Sequence, residues 1–415
     1  MIVYEGRLFV NGDLKQGAVG VEDGKIVSVG KIVKGEKNID LGDRIILPGM
    51  IDPHVHFRDP GFTHKEDFTS GSTSALYGGV TCVLDMPNTK PPVTDLRELE
   101  DKKRIIKGRS FTDYGLFAAL TKDCNVPALA KKVCGFKLFM GSTTGNILMN
   151  DESEIHKAMR SAASSGKRVS VHAEDESLLL KNEEKNNRDH LRDRPVNAEH
   201  VAINKLAPFK GMKVNICHIT DPLSISLASS YGFYTEVTMH HLFFSDTFSE
   251  SAEYKVNPPL RDTKTRDGLF REFMNDKITM FGTDHAPHTI DEKRKNYDDA
   301  PSGIPGVETY VPIMMDLVKK GKMPLGRLVR MASSAPAAAF GINKGVIEEG
   351  RDADLTIFDM RRTRTIRTKD LHSRSGYTPY EGWDAVFPDI VMVRGNIQIK
   401  DGELCGDPIG EDVNE

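Results

Sequence analysis

The sequence predicts an α/β protein, a (β/α)8 TIM-type barrel with a small β-sandwich domain built from both chain ends. Three observations predict it. Between residues 49 and 344, eight short apolar runs alternate with longer polar-periodic segments, the pattern of strand-plus-helix units in a parallel barrel. Residues 1–48 and 345–415 instead carry short strand-like runs separated by turn signals. Costly polar residues stand at the ends of the apolar runs, where a barrel places its active site.

From the N-terminus, Ala18–Val21 and Lys25–Val29 read as strands joined by the turn Glu22-Asp23-Gly24 and preceded by the turn Asn11-Gly12-Asp13. The barrel runs follow: Gly49–His56, Val80–Pro87, Tyr114–Leu120, Gly135–Met140, Arg168–Ala173, Lys213–Ile219, Tyr234–Phe244 and Ile278–His285. Ala353–Phe358 and Ile390–Asn396 return to strand and turn, and the two ends are expected to pair in one sheet.

With 39% hydrophobic and 28% charged residues among 415, the chain can bury a large core and has the balance of a soluble globular protein. A net charge of −4, with basic residues scattered outside Arg361–Lys369, leaves no footprint for nucleic acid. The first residues lack the features of a signal peptide, and no apolar stretch approaches the roughly 18 residues of a membrane span. A cytoplasmic location without a membrane partner is therefore expected. Five cysteines, none in a Cys-x-x-Cys pair, point to reduced thiols.

The first barrel run ends in Asp52-Pro53-His54-Val55-His56-Phe57-Arg58. Strand residues two apart share a face, so His54 and His56 can present two imidazoles to one metal. An isolated His-x-His is equally well a packed and a solvated histidine. Here Asn88, Lys137, His172, His218 and Asp284 mark the ends of other runs, and an apolar interior would have to satisfy every one of them. His54, His56 and Asp284 then hold one divalent metal, with His172 and His218 on a second. Alternation sends Phe136 and Leu138 outward and Lys137 inward. A buried ammonium beside two cations is disfavoured, and a neutral amine can add CO₂ to become an anion that bridges both metals. The alternative is a lysine that reaches the barrel mouth and binds a substrate anion.

On these motifs the whole chain resembles the amidohydrolase superfamily and, within it, the cyclic amidohydrolases: dihydroorotases, hydantoinases or dihydropyrimidinases, and allantoinases. The resemblance implies two Zn²⁺ per subunit, with His54 and His56 on one, His172 and His218 on the other, and an N-carboxylated Lys137 and a hydroxide bridging them. It makes Asp284 both ligand and catalytic proton shuttle. Arg58, two residues beyond His56 on the same face by alternation, is similar to the arginine that binds the substrate carboxylate in dihydroorotases, with Asn88 and His288 as further carboxylate contacts. Asn257 and the loop Gly303–Thr309 resemble segments that contact the pyrimidine ring. Taken singly, these are also a solvated arginine, a turn asparagine and a helix-capping histidine. Cys217 and Glu236 resemble positions of a third metal, against the reading of Cys217 as a small core residue. Gly141–Ile147 reads as a candidate lid, with Thr143 and Thr144 over the substrate, or as an ordinary βα loop.

The reaction so implied is zinc-dependent, reversible closure of N-carbamoyl-L-aspartate to L-dihydroorotate, the third step of pyrimidine synthesis. In the hydrolytic direction the metals make hydroxide available and Asp284 passes its proton to the ring nitrogen. Hydantoinase and dihydropyrimidinase are the enzyme alternatives, disfavoured because they place a tyrosine where Thr143 and Thr144 stand. Allantoinases carry a non-basic residue at the position of Arg58. A non-catalytic scaffold is the remaining alternative, and the intact ligand set argues against it. The family also suggests homo-oligomers and association with aspartate transcarbamoylase.

Overall fold

The computed structural model describes residues 1–143 and 147–415. The eight apolar runs form one parallel sheet in sequence order: Met50–Val55, Val80–Asp85, Asp113–Ala119, Gly135–Phe139, Arg168–His172, Val214–Ile216, Tyr234–Val237 and Met280–Phe281. It closes into a barrel where Val55 bridges His285 and the His56 N–H donates to the His285 carbonyl at 2.8 Å. Both faces of such a sheet are covered, which is why its strands read as nearly continuous apolar runs. Phe136, Leu138, Val169 and Val171 point outward and pack with Ile155, Met159 and Ala162 of the helix Glu152–Ser165.

Two runs are strand for less of their length than expected. Tyr234–Phe244 is strand only to Val237, because the Thr238 hydroxyl accepts the His241 N–H at 3.3 Å and caps the short helix Met239–Phe243. Ile278–His285 is strand only at Met280–Phe281, since the Thr283 N–H turns to the Asp52 carboxylate at 3.1 Å. Apolar content reports burial, and a buried helix satisfies it as well as a strand does.

The two chain ends share one continuous eight-stranded sheet, in the order Glu403–Leu404, Asn396–Lys400, Ile390–Val393, Leu355–Phe358, Lys37–Pro48, Ile2–Val10, Asp13–Glu22 and Lys25–Gly30. The ends meet where Leu355–Phe358 lies antiparallel to Ile45–Pro48. Tyr4, Leu8, Val19, Ile46, Leu355 and Ile357 give this sheet a core of its own. The hairpin turn Asn11-Gly12 has φ of 51° and 82°, the doubly left-handed geometry that matches strand twist and suits asparagine and glycine. Not all of 345–415 stays with the small sheet: Ile366, Tyr380 and Val386 join the barrel core, and the Tyr114 N–H donates to the Glu411 carbonyl at 2.9 Å. All five cysteines are free thiols. Among the described residues no helix is long and apolar enough to cross a membrane.

Candidate active site

The polar residues expected at the strand ends converge at one end of the barrel. His54 lies within the first strand, Lys137 within the fourth, and His172 ends the fifth. His218 and Asp284 follow the sixth and eighth by two and three residues. Arg58, His218 and Asp284 have φ of 61°, 36° and 48°, left-handed backbone that is uncommon for residues with a Cβ and tends to persist where function requires it. The first strand stops at Val55, so Arg58 reaches the pocket through this left-handed turn and not by strand alternation.

Three of the four histidines have their outer ring nitrogen already engaged. His54 Nδ1 meets Glu236 Oε1 at 2.6 Å, His56 Nδ1 meets Asn88 Oδ1 at 2.7 Å, and His172 Nε2 meets Glu174 Oε2 at 2.8 Å. Carboxylates and amide oxygens accept, so these nitrogens carry the protons and the opposite nitrogens present lone pairs. The inner nitrogens face one another. His56 Nε2 and His54 Nε2 lie 2.9 and 3.3 Å from Asp284 Oδ1, and His172 Nδ1 lies 3.1 Å from His218 Nε2. His218 Nδ1 is buried and without a hydrogen-bond partner among the described residues.

That arrangement fits metal ions. Ligand atoms at zinc–nitrogen distance on a tetrahedral ion stand roughly 3.3 Å apart, and two imidazole lone pairs at 3.1 Å repel unless a cation or proton lies against them. His54, His56 and Asp284 form one compact group of candidate ligands, and His54, Cys217 and Glu236 form another. Lys137 Nζ is 3.5 Å from His54 Nε2 and 3.0 Å from the Cys217 sulfur. It is 1% exposed, and among the described residues no carboxylate lies within ion-pair distance of it.

The electrostatics follow from this crowding. Burial and Lys137 pull the His54 imidazole down, yet Glu236 and Asp284 carry its pKa up to about 10. Burial lowers His56 to about 4 against the pull of Asp284. Burial pushes the Asp284 carboxyl up, but His54 and His56 hold it well below the ordinary carboxylate range.

Beside these groups, Arg58 is 3% exposed, donates through Nε to the Pro287 carbonyl at 3.2 Å and places Nη2 3.1 Å from His288 Nε2. Asn88 touches the site through the bond to His56 already described. Asn257 Oδ1 accepts from His190 Nε2 at 2.8 Å and from the Ser302 hydroxyl at 3.1 Å. Thr143 follows Ser142, whose N–H and hydroxyl both donate to Glu176. Thr144 lies outside the described residues.

The family signature described as Amidohydrolase family matches residues 45–398. The chain belongs to the amidohydrolase family. A dihydroorotase of Methanothermobacter thermautotrophicus is 39% identical to it over 406 residues, covering 93% of this chain and 91% of that protein. A dihydroorotase of Thermoplasma acidophilum is 38% identical and covers 98% and 96%. Among solved structures, L-hydantoinase (dihydropyrimidinase) from Arthrobacter aurescens superposes with a TM-score of 0.92 at 28% identity, over 100% of this chain and 99% of its own.

Within this amidohydrolase, several residues that hold the site were not singled out from sequence. Asp52 accepts the N–H groups of His54 and Thr283, both at 3.1 Å, tying the first strand to the eighth. Burial pushes its carboxyl up to about 6 although the Thr283 bonds oppose this. Glu174 pairs through the same Oε2 with His172 and with Arg194. His285 Nδ1 accepts the N–H groups of Gly306 and Val307 at 3.1 and 3.3 Å and so sets the loop expected to meet the ring. Asp52 and Glu174 each stand two residues from a candidate ligand histidine, a spacing that signals a shared face.

Proposed function

We propose that this amidohydrolase is a zinc-dependent dihydroorotase, closing N-carbamoyl-L-aspartate to L-dihydroorotate reversibly in pyrimidine biosynthesis. The observation that carries the reading is the buried Arg58 guanidinium, whose Nη2 lies 3.1 Å from His288 Nε2. Dihydroorotate bears a ring carboxylate that dihydrouracil and hydantoin lack, and a buried guanidinium is the group suited to hold it. The relatives named dihydroorotase support the same substrate.

His54, His56 and Asp284 would hold one metal, His172 and His218 the second, with an N-carboxylated Lys137 as the anion between them. The buried Lys137 amine, with no carboxylate at ion-pair distance among the described residues, supports that modification. Bound metal supplies an acidified water and a polarised amide carbonyl. Asp284 accepts the proton released on attack and delivers it to the departing ring nitrogen, acting as base and then acid. Arg58, His288 and Asn88 hold the substrate carboxylate, and Asn257 and Thr143 contact the ring, so these groups supply orientation. We assign Glu236 to orienting His54 instead of to a third metal with Cys217, because ligation through His54 Nδ1 would remove the 2.6 Å bond that directs Nε2 inward.

The test is ring opening by zinc-loaded, bicarbonate-supplied protein on L-dihydroorotate, dihydrouracil, hydantoin and allantoin. Activity on dihydroorotate that falls by about 10²-fold or more in Arg58→Ala is expected. Equal activity on the uncharged rings would favour a hydantoinase, the reading supported by the fold likeness to L-hydantoinase. Silence on all four rings with metal bound would favour the scaffold. We extend to this chain a cytoplasmic location, self-association and association with aspartate transcarbamoylase, the last two testable by sedimentation with and without that enzyme.

A further inference from the structure

The carboxylate pocket holds a cation that the mechanism above leaves unused. Lys65 lies seven residues beyond Arg58, with its side chain 13% exposed and its ammonium 3.0 Å from Glu292 Oε1. The same ammonium is 3.0 Å from His288 Nδ1. An ammonium has three donors and no acceptor, so it can only donate to Nδ1, where Glu292 Oε2, 3.8 Å from the same nitrogen, is the competing partner. The single proton of a neutral His288 then sits on Nε2, which faces the Ser302 carbonyl at 3.0 Å and Arg58 Nη2 at 3.1 Å. The carbonyl can accept that proton; the guanidinium cannot. A carboxylate seated between Nε2 and Arg58 Nη2 accepts from both, sharing the Nε2 proton with the Ser302 carbonyl.

We propose that Lys65 is a positioning residue for the anionic substrate: by donating to Nδ1 it holds His288 as the neutral Nε2–H tautomer, so that His288 donates together with Arg58 to the ring carboxylate. This rests on the dihydroorotase reading. Burial, with Arg58 next, keeps the His288 pKa down to about 3, so the ring stays neutral near pH 7. Glu292 aims Lys65 without taking it away. One of its oxygens accepts from the ammonium, and the other accepts the Thr289 N–H at 3.0 Å and so caps Ile290–Lys293. The plain reading of the same contacts is a partly buried Lys65–Glu292 ion pair that only secures the loop, with His64 Nε2 3.7 Å from the same oxygen.

Full-length, zinc-loaded protein tests the two. In Lys65→Gln the KM for L-dihydroorotate is expected to rise about tenfold with kcat within about threefold, because a binding orientation is lost and the proton shuttle is untouched. Lys65→Arg keeps a cationic donor and is expected to restore KM to within about threefold of the parent. A loop-securing role alone predicts a lower unfolding midpoint with KM unchanged in Lys65→Gln, and that result overturns the proposal. Nitrogen-15 NMR of the unaltered protein gives a readout independent of turnover and of the folding of any variant. The His288 signals, assigned by their loss in His288→Asn, are expected to show an unprotonated Nδ1, and a proton on Nδ1 overturns the proposal. A parent enzyme that leaves dihydroorotate unopened would refute the assigned function, while the Nδ1 signal would still decide the Lys65–His288 contact.

Discussion

An imidazole turns its lone pair toward a metal when its other nitrogen is already occupied. Glu236, Asn88 and Glu174 do this for His54, His56 and His172. The same logic recurs one layer out, around Asn257. Glu184 meets His190 Nδ1 at 2.8 Å and the Lys255 ammonium at 3.0 Å, and His190 Nε2 in turn meets Asn257. Burial pushes the Glu184 carboxyl up, but the His190 and Lys255 contacts prevail and hold it down to about 2. A carboxyl whose pKa is depressed in the folded state stabilises the fold above its unfolded pKa of about 4.3, and that contribution disappears as pH falls through the folded value. Glu184→Gln is therefore expected to cost about 1–2 kcal/mol at pH 7. In urea unfolding the gap to the parent should narrow below about pH 4 and nearly close by about pH 2; a gap constant across that window would contradict this account.

At the scale of elements, the site depends on a side chain from the seventh strand reaching past the eighth to the first. Glu236 can do so because residue 282 has no side chain: a Cβ on Gly282 would lie 2.6 Å from Glu236 Cδ and 2.8 Å from its Oε1. Gly282→Ala should displace Glu236 from His54 while leaving the barrel hydrogen bonds in place. The expected outcome is a fall in zinc affinity of about 10- to 100-fold, read by chelator competition, with the urea midpoint nearly unchanged. Unchanged zinc affinity would mean that Glu236 does not orient His54. The same scale explains the seventh run, where Thr238 ends the strand with a cap and leaves Met239–Phe243 as buried helix.

Across the whole molecule, the small sheet and the barrel are joined by charge as well as by apolar packing. The Lys344 ammonium, 1% exposed, lies 2.7 Å from Asp113 at the start of the third barrel strand, and 3.1 and 2.9 Å from Asp352 and Asp354, which precede Leu355–Phe358 of the small sheet. Burial opposes its charge, but the three carboxylates prevail and raise its pKa. Removing one member of a buried charged set leaves the others uncompensated, typically at a cost of about 3–5 kcal/mol. Lys344→Met is expected to lose stability of that order in urea unfolding and to let the two parts unfold in separate steps, where the parent shows one. A single transition at the parental midpoint would show the junction to be held by packing alone.

What the sequence by itself determined about this protein is local. Period-two alternation and the polar residues at run ends decide that His54 and His56 share a face and that Lys137 points inward while Phe136 and Leu138 point out. These follow from the pleat and from covalent spacing, which hold wherever the strand is placed. Only the tertiary structure decided which group stands behind each histidine of the site: Glu236 behind His54, a contact across 182 residues, and Lys65 behind His288, across 223. It also decided that Arg58 enters through left-handed backbone, and that apolar Met239–Phe243 is helix. Barrel closure sets those distances, and no local pattern of residues encodes where a chain will meet itself again.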